Sequence, residues 1–225
     1  MERPIQLDSF SPEALLDGVF STTLPEYYQL KNVIESNGWH DNQNVYDHSL
    51  DSARALRDIT KFDYLADQER ENLQGYLAQR IDAHTRMELL MVATLFHDIG
   101  KSISLQHNPQ GSTNSPSHGI LGSWVAQPHL EKFELSAKEK TFILALISDH
   151  LVPSDLIELS INNGTDKQEI VKLLQEYRPE STVELLLLAY ADWVGCDIRD
   201  ESVSVERDTR VAVVHDCLAA LARAQ

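Results

Sequence analysis

Three of the most apolar stretches of this chain run directly into ionisable side chains. Leu89-Leu90-Met91-Val92-Ala93-Thr94-Leu95-Phe96 leads into His97-Asp98, Phe142-Ile143-Leu144-Ala145-Leu146-Ile147 leads through Ser148 into Asp149-His150, and Leu185-Leu186-Leu187-Leu188-Ala189-Tyr190-Ala191 leads into Asp192-Trp193. A helix that is apolar all the way round is a buried one, so its end delivers such groups into the interior. A buried, unpaired carboxylate costs several kcal/mol or shifts its pKa until it is neutral, and several in one core call for a compensating charge. A divalent cation supplies that charge. Two further histidines fit the same chemistry. His48, in Asn44-Val45-Tyr46-Asp47-His48-Ser49-Leu50, lies one turn into an expected helix, and His118 opens Ser117-His118-Gly119-Ile120-Leu121-Gly122. Gly119 and Gly122 would admit another backbone or a ligand at close range. Imidazoles with carboxylates form a nitrogen and oxygen donor set suited to Mn, Fe, Co, Ni or Zn rather than calcium. Consecutive helical side chains diverge by about 100°, so His97-Asp98 suits one member bridging two neighbouring metals.

The elements that must position these residues read as helices. Apolar residues recur at helical spacing in most windows, period-two alternation is nearly absent, and only 9 Gly and 8 Pro punctuate the chain. The expectation is an all-α fold with helices over roughly 25–37, 46–60, 65–82, 86–98, 118–131, 136–150, 153–160, 166–178, 182–199 and 208–223. The Ser-, Asn-, Pro- and Gly-containing stretch 101–117 is the longest irregular connection and the candidate mobile active-site loop. No repeat, low-complexity segment or domain boundary is visible, so residues 1–225 read as one domain: a core over about 40–200, an N-terminal helical extension over 1–39 and a C-terminal helix over 201–225.

The 225 residues, 42% hydrophobic and 24% charged, suffice for one sizeable core. With 35 acidic against 19 basic residues the formal net charge is -16, which disfavours non-specific binding to nucleic acid or anionic membranes. The opening residues MERPIQLDSFSPEALL lack a basic start followed by an apolar stretch, and no apolar run approaches the roughly 18 residues of a membrane span. Cys196 and Cys217 make neither a disulfide framework nor a CxxC site. The expectation is a cytoplasmic protein with reduced thiols, no membrane segment and no nucleic-acid partner. Gly100-Lys101-Ser102 ends like a phosphate-cradling loop, but Leu95 stands where that pattern needs glycine. There is no GxGxxG, HExxH or GxSxG, which removes dinucleotide, zincin and serine-hydrolase readings.

The order His48, His97-Asp98 within LFHDIGK, His118, His150 and Asp192 resembles the HD-domain metal-dependent phosphohydrolases, from about residue 40 to about residue 200. NVYDHSL, LFHDIGK, SHGILGS and LLLLAYADWVG look most like the HD domain that accompanies bacterial CCA-adding tRNA nucleotidyltransferases, with no nucleotidyltransferase domain in this chain. The resemblance implies a single HD-type helical bundle whose metal ligands converge at its centre. His48, His97, Asp98 and Asp192 would hold the first metal, with Asp98 shared, and His118 and His150 a second. Whether those last two ligate or are satisfied buried histidines decides between one ion and two, drawn from Mn, Fe, Ni, Co, Mg or Zn. The implied reaction is hydrolysis of a phosphomonoester or phosphodiester, of a nucleotide or another small molecule, by metal-generated hydroxide attacking phosphorus. A module that binds metal but senses a nucleotide or docks a partner is the alternative. Lys101 reads either as a cation near a helix C-terminus or as a phosphate contact beside Asp98 in the catalytic set. His40, His84, His107, His129 and His215 read as surface or structural, Asp47 as a capping residue, and Trp39, Trp124 and Trp193 as core or pocket-wall aromatics.

Overall fold

In the computed structural model, which describes residues 3–224, Ser11 opens the first helix by accepting from the Ala14 N–H, with Pro12 at the first helical position. This short α1 (Pro12–Leu16) is followed by α2 (Pro25–Tyr28) and a 3-10 turn over Gln29–Asn32. The expected helix over 25–37 therefore stops early. Ile34–Ser36 instead forms β1, paired antiparallel with β2 (Asp41–Asn44) in a register that sets Ile34 opposite Asn44. The reason is non-local: the Ser36 N–H donates to Thr113 Oγ1 at 2.8 Å, tying β1 to a segment far along the chain.

The helices that carry the candidate site residues come next. Asn44 caps α3 (Val45–Ile59) by accepting from the Asp47 N–H, so the cap is Asn44 and Asp47 supports it. α4 (Asp67–Leu77) ends short of the expected residue 82. α5 (Arg86–Phe96) starts at a capping box, with Thr85 accepting from the Glu88 N–H while the Glu88 carboxylate accepts from Thr85. The stretch 101–117 is not irregular throughout: it holds α6 (Lys101–Ser104) and a hairpin of β3 (Gln106–His107) and β4 (Thr113–Asn114). α7 (His118–Leu130) and α8 (Ala137–Asp149) follow, the latter boxed by Ser136 and Glu139. α9 (Val152–Asn163), α10 (Lys167–Tyr177), α11 (Thr182–Gly195) and α12 (Glu201–Arg223) complete the chain. α12 begins earlier than expected because Asp200 caps it, accepting from the Ser202 N–H.

The result is the all-α fold the sequence implied, with two small hairpins added. α11 is its axis: Leu185 through Ala189 have no exposed surface, and the helix packs along α3 and against α5 and α12. Gly195 makes the α3–α11 contact close, since a Cβ there would lie 2.3 Å from Ser52 Oγ and 2.7 Å from its backbone nitrogen. Gly119 does the same between α7 and α8, where a Cβ would meet the Ser148 carbonyl at 2.7 Å. The N-terminal segment braces the end of α5: Phe10 packs on Phe20, Phe96 and Phe133, and the Tyr27 hydroxyl donates to the Leu95 carbonyl at 2.9 Å. Trp193 is buried and Trp39 partly so, but Trp124 is 67% exposed and belongs to neither core nor wall of the described site. Among the described residues, no helix is long and apolar enough to cross a membrane.

Candidate metal centre

Where α3, α5, α7, α8 and α11 meet, six side chains converge. His48 comes from the first turns of α3, His97 and Asp98 from the turn that ends α5, His118 from the start of α7, His150 from the end of α8 and Asp192 from the last turn of α11. For α5, α8 and α11 the apolar body of the helix explains the burial and the candidate ligand stands where the helix runs out, whereas His48 and His118 enter from the starts of α3 and α7. His48, His97, Asp98 and His150 are at most 1% exposed, while the side chains of His118 and Asp192 keep 12% and 16% of their surface. The cage therefore opens on the His118–Asp192 side.

Their donor atoms form two groups joined by Asp98. In the first, His48 Nε2 lies 2.9 Å from Asp192 Oδ1 and 3.3 Å from Asp98 Oδ2, and His97 Nε2 lies 3.4 and 3.3 Å from the same two oxygens. In the second, Asp98 Oδ1 lies 3.2 Å from His118 Nε2 and 3.8 Å from His150 Nε2, and those two nitrogens are 3.1 Å apart. Asp98 thus presents one oxygen to each group.

The imidazoles are oriented from behind. His97 Nδ1 donates to the Thr94 carbonyl, His118 Nδ1 to Ser115 and His150 Nδ1 to Ile147, each at 2.7 Å, and His48 Nδ1 faces the Gly195 carbonyl at 3.3 Å. A carbonyl can only accept, so these contacts place the proton on Nδ1 and turn a bare Nε2 lone pair inward. Two bare lone pairs 3.1 Å apart at His118 and His150 repel unless a proton or a cation lies between them. His97 Nε2 and Asp98 Oδ2 are buried, and their close contacts to the surrounding charged groups lack good hydrogen-bond geometry. Donors each about 2.1 Å from one ion sit roughly 3.0–3.4 Å apart at right-angled to tetrahedral geometry, close to the 2.9–3.4 Å separations of the first group. The donor set fits a divalent transition metal in both chemistry and spacing.

The electrostatics of the cage agree. Burial alone would lower the His97 pKa, but the neighbouring carboxylates of Asp98 and Asp192 raise it to about 10. Burial would raise both aspartates, yet the surrounding imidazoles, joined at Asp98 by Lys101, hold them well below the usual carboxylate range. His150 is pushed down to about 3 by burial and by the neighbouring His118 and His97. The carboxylates thus favour positive charge at His97.

A second layer lies behind the cage. The Lys101 ammonium sits between Asp98 Oδ2 and Glu35 Oε2, 2.7 Å from each, with a side chain only 7% exposed. It is an ion-pair partner of a cage residue rather than a free arm in the opening. Glu35, on β1, carried no signal in the sequence because its segment read as helix. His40, read as surface or structural, is 6% exposed: its ring centroid is 4.7 Å from that of His48, its Nδ1 donates to Gln43 Oε1 at 2.9 Å, and its Nε2 lies 3.9 Å from Cys196 Sγ. Burial, then the charges of His48 and Lys101, lower His40 to about 4. The other histidines stay outside: His107 is exposed on β3, His84 pairs with Glu139, His215 bonds Tyr190, and His129 is buried against Phe96. Asp149 turns away from the cage to Arg178, Nε to Oδ2 2.6 Å.

Residues 45–195 match the HD domain family. The chain is 26% identical over 176 residues to the bifunctional uridylyltransferase/uridylyl-removing enzymes of Vibrio atlanticus and Photobacterium profundum, an alignment covering 78% of this chain and 18% of each relative. The enzyme of that name from Pseudomonas putida strain F1 is 28% identical over 137 residues, 61% of this chain and 13% of the relative. The chain thus spans less than a fifth of the length of these relatives. They carry uridylyl chemistry in their names, where the motifs had suggested CCA-adding enzymes, so the resemblance holds at the level of the HD domain.

Proposed function

The chain belongs to the HD domain family, and from that premise we propose that it is a metal-dependent phosphohydrolase acting on a phosphomonoester or phosphodiester of a nucleotide or a similar small molecule. The observation that carries the reading is the pair of donor groups sharing Asp98, one oxygen turned to each. His48, His97, Asp98 and Asp192 would hold one divalent ion, and Asp98, His118 and His150 a second. Such ions supply Lewis acidity toward phosphate oxygens and lower the pKa of water within their reach. Their charge also explains how a protein of net charge -16 could take an anionic substrate.

The chain's own residues do the positioning. The Nδ1 contacts to Thr94, Ser115, Ile147 and Gly195 hold each ring against rotation. The partly exposed edges of His118 and Asp192 form the side from which an ester can approach. Lys101, clamped between Asp98 and Glu35, fixes the shared carboxylate; steadying a phosphate would require its Glu35 contact to open. The names of the relatives support a bond to a nucleotide as the one cleaved, since removing a uridylyl group breaks a phosphoester linkage.

The test is metal content per chain by mass spectrometry for wild type and Asp98→Ala, purified without chelators or nickel affinity, with hydrolysis of bis-p-nitrophenyl phosphate and of nucleoside monophosphates assayed alongside. Two ions and turnover in the wild type, both lost in the variant, are expected. Bound metal without turnover of any ester would favour the sensing module instead, and no metal after incubation with Mn, Fe, Co or Ni would remove the catalytic reading.

A further inference from the structure

α5, α8 and α11 each place a ligand at the C-terminal end, and their N-terminal ends converge on a second feature. A cavity of about 760 Å³ is lined there by Arg86 of α5, Lys138 and Phe142 of α8, Ser181 before α11, and Arg80 and Arg178 from the flanking loops. Its volume lies within the range of roughly 300–1,000 Å³ typical of small-molecule sites. Along α8 it is about 18 Å from Lys138 to His150 at the helical rise, so this is not the metal cage.

The wall inverts the charge of the molecule. The chain carries 35 acidic and 19 basic residues, yet four bases and one acid, Glu180, line this cavity. Arg86 and Arg178 are answered by Glu184 and Asp149, each at 2.6 Å. Arg80 and Lys138 are not: among the described residues neither has a carboxylate within ion-pair distance, and their side chains donate only to the backbone carbonyls of Ala83 and Ile81. Two cations without an ion-pair partner in a concave site are a receptor for an anion, and the planar guanidinium of Arg80 matches phosphate oxygens. Beside them the wall is aromatic. Phe142 and Tyr177 line the cavity, with the Arg86 guanidinium 5.6 Å from the Phe142 ring and that of Arg178 5.4 Å from the Tyr177 ring. Ser181 leaves the start of α11 without a side-chain cap.

We propose that this cavity binds a nucleoside phosphate, with Arg80 and Lys138 taking its phosphates and the Phe142–Tyr177 wall its base. The site is distinct from the cage, shares α5 and α8 with it and abuts the start of α11, so an occupant bears on elements that end in His97, His150 and Asp192.

Isothermal titration of EDTA-stripped protein, exchanged into chelator-free buffer, with ATP, inorganic triphosphate and adenosine tests this. Stripping removes the metals through which the cage itself could bind a nucleotide. Saturable binding of ATP, tighter than that of triphosphate, is expected. It should weaken at least about tenfold in Arg80→Glu/Lys138→Glu, whose exposed side chains leave the thermal melt unchanged, and persist in Lys138→Arg. Equal affinity in the charge-reversed variant, or binding that appears only after metal is restored, would overturn the site. Triphosphate binding as tightly as ATP would overturn the nucleoside part, and no saturable binding of any probe would overturn the whole.

Discussion

At the scale of single residues, a proton and the proposed metal ion would compete for His97. Its folded pKa of about 10 exceeds the ordinary 6.5, because Asp98 and Asp192 outweigh the cost of burial. A raised folded pKa contributes stability that is fully present below the unfolded value and is lost as pH rises through the folded one. The melting temperature of the EDTA-treated protein should therefore fall as pH rises from about 6.5 to 10, while the metal-loaded protein, which needs the imidazole neutral, should stay flat over that window; calorimetry on both forms decides it. Lys101 gives a second test. Lys101→Met leaves Glu35 and Asp98 buried without their shared cation, which should cost roughly 3–5 kcal/mol in urea unfolding of the metal-free protein and clearly less once metal is added.

Helices meet here at glycines. Gly195→Ala would drive a Cβ into Ser52 at 2.3 Å, spreading α3 from α11 and with them His48 from Asp192. A loss of about 1–3 kcal/mol on thermal denaturation is expected, together with weaker metal uptake; unchanged values for both would mean the contact relaxes freely. α5, α8 and α11 were legible in the sequence because an apolar run ending in His or Asp is a strong local signal; His48 and His118 had no such run before them, yet all six candidate ligands reach one cage. β1 and β2 were not legible. Three or four residues show no usable alternation, and what holds them is the remote Thr113 hydroxyl, so Glu35 and its bond to Lys101, 66 residues away, left no trace in the local pattern. The stretch 101–117 read as plain loop for the same reason: α6 spans four residues and β3 and β4 two each, too few for a period.

Over the whole molecule, the charge of -16 sets the terms on which an anion approaches. Raising the ionic strength shortens the Debye length from about 30 Å at 0.01 M to about 10 Å at 0.1 M. Turnover of a nucleoside triphosphate should gain in kcat/KM with added salt, and by more than that of a singly charged diester, because screening removes repulsion from the surrounding acids; a steady fall would point to local attraction at the opening instead. The cage itself draws on segments from residue 48 to residue 192, yet the aim of three of its histidines is set within a few bonds of each ring. His97, His118 and His150 all hold the carbonyl three residues before them. For α5 and α8 that carbonyl belongs to the last turn, whose acceptors have no partner further along the helix. The unfinished end of a buried helix thus doubles as a jig for an imidazole. This is a transferable building rule: a designer who ends two or three buried helices in histidine inherits both the orientation and the tautomer, and has only to bring the ends together.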